Sequence, residues 1–343
     1  MPKLRLLLAA PLALALLGAT TASLPGEPRV KPVPGALTRL VSDGGAPGAA
    51  LLGQNATGAR FRSAGHGLHR RDRFRVGSIT KTFVATVVLQ LVAEHRLALS
   101  DTVADHLPRL IRGDGNDGRR ITLRALLSHT SGLYNYTADA GPPPHSALSA
   151  VRVALSHPPV RRGRFAYSNT DYSVLGLIIR QTTGHSYAAE ARRRIIAPLR
   201  LGGTSFPGAA TALPEPHGPG YSSGRDVTAF DPRVAGAAGE LISTLADLNR
   251  FYRALLGGRL LPAVQRRELL DTRGTGGAYG LGIYPERMPC GVVVWGHNGR
   301  IAGSYVRAAT TAHGGRTVTF RVNTDDPMAT GLERDVLNSA FCR

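Results

Sequence analysis

The chain predicts an α/β fold of the α+β type. An antiparallel sheet built from both chain ends is flanked by helices, with an all-helical lobe inserted between. Three observations carry this. Strand-like stretches gather near the two ends of the chain. Helical spacing and Gly/Pro-rich loops fill the middle. A length of 343 residues with 43% hydrophobic content suits one large domain or two tightly packed ones.

Residues 1–22 read as a secretory signal. Lys3 and Arg5 supply its basic start, Leu6 to Leu17 an apolar run interrupted by Pro11, and Ala19-Thr20-Thr21-Ala22 a cleavage site. The run is too short to span a bilayer comfortably, and no later segment is apolar enough. No cysteine precedes residue 30, which removes the lipoprotein option. The mature chain is therefore expected to be secreted and soluble.

Residues 23–36 are Pro-rich and read as an extended lead-in. Gly48–Gly53 and Ala59–Ala64 read as strands around a Gln-Asn-Ala-Thr-Gly turn. Beyond Ser78, the residues Ile79, Phe83, Val84, Val87, Val88, Leu91 and Val92 repeat at helical spacing. Gly77 permits a tight entry, so Ser78 should sit at a helix N-terminus, where free N–H groups favour developing negative charge. Residues 100–235 look helical and loop-rich, with a periodic helix through Tyr172, Leu175, Ile178 and Ile179. Leu241–Leu256 is another helix. Gly291–Trp295, Tyr305–Thr311 and Thr317–Asn323 then read as strands, with a hairpin turn at His313-Gly314-Gly315-Arg316. Arg334–Phe341 could close the chain as a helix. Residues 23–99 and 236–343 thus form an α/β lobe and 100–235 a helical lobe. The cleft between them is the expected site.

The net charge of +19 favours anionic partners such as an acidic wall polymer. Nucleic acid is not expected, because the arginines are scattered, aromatics are 6% and no basic binding module occurs. Cys290 and Cys342, an even pair in an exported chain, predict a disulfide. No metal site is expected: Cys-x-x-Cys is absent, and His66 and His69 read as loop residues.

The chemistry centres on Ser78-Ile79-Thr80-Lys81. Only Lys3, Lys31 and Lys81 are lysines, against 39 arginines. Arginine stays charged at any working pH, whereas a desolvated lysine can lose its proton and act as a base. At i and i+3 on a helix the hydroxyl and the amine meet, the minimum for an activated serine. Tyr167-Ser168-Asn169 adds a phenol that can move a proton and an amide that can hold a peptide bond. His297-Asn298-Gly299 follows the strand ending at Trp295, where glycine lets a substrate backbone approach. Leu127-Ser128-His129-Thr130-Ser131-Gly132-Leu133 fits the same set, or equally a helix end and loop.

Taken in this order, these phrases resemble the serine penicillin-recognising family of D-alanyl-D-alanine carboxypeptidases and class C β-lactamases. The likeness is strongest to secreted soluble carboxypeptidases with a His-x-Gly third motif. It also takes in Gly236-Ala237-Ala238-Gly239-Glu240-Leu241 and Tyr279-Gly280-Leu281-Gly282. Tyr167 and His297 stand where class A enzymes carry serine and lysine, which argues against that class. Val76-Gly77-Ser78-Ile79-Thr80 is not Gly-x-Ser-x-Gly, which excludes an α/β-hydrolase.

The resemblance implies a β-lactamase/transpeptidase-like fold and a D-alanyl-D-alanine carboxypeptidase/transpeptidase that needs no cofactor. Ser78 would form the acyl-enzyme and Lys81 would ease loss of its proton. Tyr167 would protonate the leaving group and Asn169 would anchor the substrate amide. The N–H groups of Ser78 and Arg300 would form the oxyanion hole. His297 takes the place of an electrostatic lysine. Carboxypeptidases of this kind carry hydroxyl residues beside the third-motif glycine, whereas this chain has Asn298 and Arg300. The Arg300 guanidinium is therefore the expected grip on a substrate carboxylate. Expected partners are peptidoglycan stem peptides or another acyl substrate, with β-lactams as inhibitors or substrates, and the chain is expected to be a monomer. Same-scaffold alternatives are a β-lactamase, an esterase or a D-amino-acid amidase. A non-catalytic wall-binding module is the alternative of another class.

Overall fold

The computed structural model describes residues 34–139 and 141–342. The expected signal at 1–22 lies outside the described residues. Six strands form one antiparallel sheet: β1 (Gly48–Asn55), β2 (Gly58–Gly65), β3 (Tyr284–Arg287), β4 (Val293–Ile301), β5 (Ser304–Thr311) and β6 (Thr317–Val322). Their order is β2-β1-β6-β5-β4-β3, so strands from both ends of the chain meet at the β1–β6 pair. There Ala49 faces Val322 and Gln54 faces Thr317.

Period-2 alternation gives the sheet two buried faces. On one, Leu52, Val306 and Ala308 pack with α2 (Thr80–Ala93), α3 (Asn169–Thr183) and α4 (Leu245–Leu256). Phe83 of α2 stacks on Phe251 of α4, ring centres 3.7 Å apart. On the other, Leu51, Tyr305 and Phe320 pack with α1 (Pro34–Ser42) and α5 (Leu332–Phe341). Cys290 and Cys342 are joined as a disulfide beside α5, Cα atoms 5.5 Å apart.

Several boundaries differ from expectation. Residues 34–36 are helical rather than extended, because Pro34 opens α1 and proline suits a first helical turn. The helix expected from Leu241, α4, begins at Leu245, because the Thr244 hydroxyl accepts the Asp247 N–H as its N-cap. The strand expected to stop at Trp295 runs to Ile301, and β3 was not foreseen. The 100–235 stretch is not wholly helical. Two-residue ladders occur at Arg112–Gly113 with Asn116–Asp117 and at Tyr221–Ser222 with Arg225–Asp226. Finally, α2 is buried on every side from Thr80 to Leu89, not along one stripe. Its threonines tolerate this because Thr82 donates to Gly282 O and Thr86 to Thr82 O.

Candidate active site

Ser78 lies in a single 3₁₀ turn, Gly77–Ile79, that leads into α2. The turn rests against the end of β4. Gly77 has φ +51°, and a Cβ there would stand 2.8 Å from the Arg300 nitrogen. A Cβ on Gly299 would stand 1.9 Å from Val76 O. Only glycine permits this approach. The hairpin explains what it achieves. Ile301 and Ser304 flank a two-residue turn, and such a flanking pair exchanges both backbone hydrogen bonds. By alternation, Gly299 and His297 also bond towards β5, while Asn298 and Arg300 turn their backbone groups outward. β3 covers that edge only up to Gly296. The Arg300 N–H therefore faces the Ser78 turn.

Two side chains converge on the Ser78 hydroxyl. Lys81 Nζ lies 3.1 Å from Oγ, and the Tyr167 hydroxyl donates to Oγ at 2.7 Å. Lys81 is fully buried, and Nζ also donates to Asn169 Oδ1 and Ala238 O, both at 2.7 Å. Burial holds its pKa well below 10.5, opposed by Asp171. The Tyr167 phenol is pushed up, chiefly by burial, so it holds its proton at rest. Asn169 is less free than expected. Besides accepting from Lys81, it donates through Nδ2 to Thr137 Oγ1 at 2.9 Å.

Two expected roles do not fit the geometry. His297 is buried, and burial lowers its pKa to about 3. Its Nδ1 donates to Asn298 O at 2.5 Å, leaving Nε2 to accept the Tyr279 hydroxyl at 2.8 Å. Both ring nitrogens are thus engaged within the protein, and burial disfavours the cationic form that an electrostatic role would use. The Arg300 side chain does not face Ser78 either. Directly opposed residues share a face. His297 and Gly299 oppose Ala308 and Val306, on the α2 side. Asn298 and Arg300 oppose Arg307 and Tyr305, on the α1/α5 side. Asn298 donates to the Tyr305 hydroxyl at 3.2 Å, and the Arg300 guanidinium carbon lies 5.5 Å from the Tyr305 ring centre.

Sequence reading singled out the phrase holding His129 and Ser131 but missed their buried partner, Asp171. Asp171 sits fully buried on α3, with Oδ2 2.9 Å from His129 Nδ1, and Ser131 donates to Oδ1 at 2.5 Å. Burial raises the Asp171 carboxyl well above its usual range. The Ser168 N–H lies 3.3 Å from the same Nδ1. The His129 ring packs 4.4 Å from that of Tyr167. The usable signal was an aspartate one residue before the apolar stripe of a helix.

A serine hydroxyl met by a buried lysine and a half-buried tyrosine, beneath a strand edge, defines a penicillin-recognising type of serine site. The beta-lactamase family model matches residues 34–340, and the chain belongs to that family. Penicillin-binding protein 4 of Amycolatopsis lactamdurans is 31% identical over 84% of this chain and 83% of its own. A D-stereospecific amidohydrolase from Streptomyces sp. is 40% identical over 90% of this chain and 97% of its own, with a TM-score of 0.84. D-amino acid amidase from Ochrobactrum anthropi SV3 is 25% identical over 89% and 97%, with a TM-score of 0.77. Among the described residues no helix is long and apolar enough to cross a membrane.

Proposed function

We propose that this chain is an exported serine amidohydrolase that takes a D-configured acyl group from an amide or peptide bond onto Ser78. The observation that carries the reading is the hydrogen-bonded set of Ser78, Lys81 and Tyr167. Two N–H bonds of Lys81 are spent on Ala238 O and Asn169 Oδ1. When the amine is neutral, its lone pair faces Ser78 Oγ. The Oγ–carbon bond forms as the Ser78 proton passes to Lys81, directly or through Tyr167. The oxyanion develops towards the Ser78 and Arg300 N–H groups, each worth about 3 kcal/mol. The C–N bond then breaks, and the amine leaves with a proton from Tyr167. Water, or an acceptor amine, cleaves the ester by the reverse proton path.

The D-amide reading draws support from the 40% identity to a D-stereospecific amidohydrolase. It also draws on the third motif, where Asn298 and Arg300 present their side chains to the sheet face away from Ser78. A D-alanyl-D-alanine carboxypeptidase is the second reading, favoured by the likeness to penicillin-binding protein 4. The disulfide fits export. The test compares D-alaninamide, L-alaninamide and a peptide ending in D-Ala-D-Ala, the last with its carboxylate free and amidated. Preferential turnover of D-alaninamide, with little discrimination between the two peptides, is expected. Turnover of the free-acid peptide alone establishes the carboxypeptidase instead. No turnover and no Ser78 adduct with a β-lactam overturns both.

A further inference from the structure

A cleft of about 360 Å³ opens between the helices Ala147–Leu155 and Tyr187–Ala191 and the segment carrying Gly236–Glu240. Its walls are largely apolar, with Ala147, Ala150, Val234 and Ala237 among them. One charged side chain sits at its base. Glu240 is only 4% exposed. Its Oε1 accepts the Tyr187 hydroxyl at 2.6 Å. Its Oε2 has no hydrogen-bond partner in the protein among the described residues, and Glu240 lines the cleft. Burial raises the Glu240 pKa, and the Tyr187 hydrogen bond opposes the rise.

That arrangement is unusual. Buried carboxylates are normally paired with a cation or given several donors. The other buried glutamate of the described chain, Glu190, has both Arg193 and Arg194. The cations at the cleft mouth do not serve Glu240. Arg233 pairs with Asp231 at 2.5 Å, and His145 lies 3.5 Å from the same carboxylate. The free oxygen thus needs a donor, and the walls need an apolar body.

We propose that this cleft binds a primary ammonium carried on a short apolar group, with Glu240 as its counter-ion. The ammonium donates to Oε2 while Tyr187 holds Oε1 in place. The apolar body lies along Ala147, Ala150 and Val234. The volume matches about twelve waters, enough for an amine the size of an amino acid. The cleft adjoins the catalytic cluster through one short stretch of backbone. Ala238, two residues before Glu240, gives its carbonyl to Lys81. The ammonium could belong to the substrate or to a separate amine, and the chemistry that binds it is the same.

The probes are n-butylammonium and its uncharged match n-butanol, read by calorimetry and thermal shift on the whole protein, so turnover is not required. Saturable binding of n-butylammonium but not n-butanol is expected, weakened at least about tenfold by Glu240→Gln. Ala147→Phe, which narrows the cleft and keeps the carboxylate, is expected to weaken it likewise, and decides the matter if Glu240→Gln does not fold. Absent binding, or equal binding by the folded variants, overturns the proposal. If n-butylammonium competes with D-alaninamide, the cleft holds the substrate's own ammonium. If it binds without competing, the ligand is a separate amine.

Discussion

The two sides of the sheet each bury a long cation, and they treat it in opposite ways. On the α2 side, Lys81 has a hydroxyl and two amide-type oxygens as partners and no directly bonded carboxylate. Its pKa falls, because burial penalises charge more than these neutral acceptors repay. On the α1/α5 side, Arg307 is equally buried but lies 3.2 Å from Glu286 and 3.0 Å from Glu333, with the Tyr284 ring 4.5 Å away. Those charges raise its pKa. The lesson is that burial alone does not decide what a cation does. Neutral acceptors make a proton carrier, and carboxylates make a fixed strut.

The comparison breaks most sharply if the two cations can be exchanged in kind. Lys81→Arg is expected to lower Ser78 acylation by about 10³-fold or more, since guanidinium cannot give up its proton. Mass spectrometry of the β-lactam adduct measures this. A variant acylating within tenfold of wild type removes Lys81 as the base.

Arg307→Met strips the strut and leaves Glu286 and Glu333 without it. Loss of about 3–5 kcal/mol in urea unfolding is expected, as for a broken buried pair. Folded variant should keep its substrate preference. An unchanged midpoint shows that Arg307 supports nothing.

Lys81→Met sharpens the contrast through pH. The folded pKa of Lys81 lies below 10.5, so the unfolded chain binds the proton more tightly. Between the lowered value and 10.5, wild-type stability rises with pH. The variant is expected to lose that slope and to be more stable at neutral pH. A slope that persists unchanged assigns the effect to other groups.

Arg300→Ala should matter least. Its side chain is exposed and lies across the sheet from Ser78, so stability should move by about 0.5 kcal/mol or less. Discrimination between free-acid and amidated peptides should stay as in wild type. A selective loss on the free-acid peptide restores Arg300 as a carboxylate grip.

The sequence by itself determined the family, the sheet made from both chain ends and the meeting of Ser78 with Lys81. The family rests on the resemblance of its motif phrases, and the other two on local rules: period-2 and period-3.6 patterning, a glycine before a helix, and i to i+3 spacing on one helix face. The Cys290–Cys342 disulfide was legible from an even cysteine count read with the expected export. Tertiary structure decided whatever depends on which face or which neighbour. His297 and Arg300 sit three residues apart, and only the register of β4 against β5 shows that they face opposite sides. Asp171 became a buried partner of His129 only because residues 42 apart in the chain pack together out of water. Glu240 entered only as part of the Gly236–Leu241 phrase, and folding alone set its buried carboxyl against a cleft. Charge state follows from solvation and neighbours, and neither is written in the local sequence.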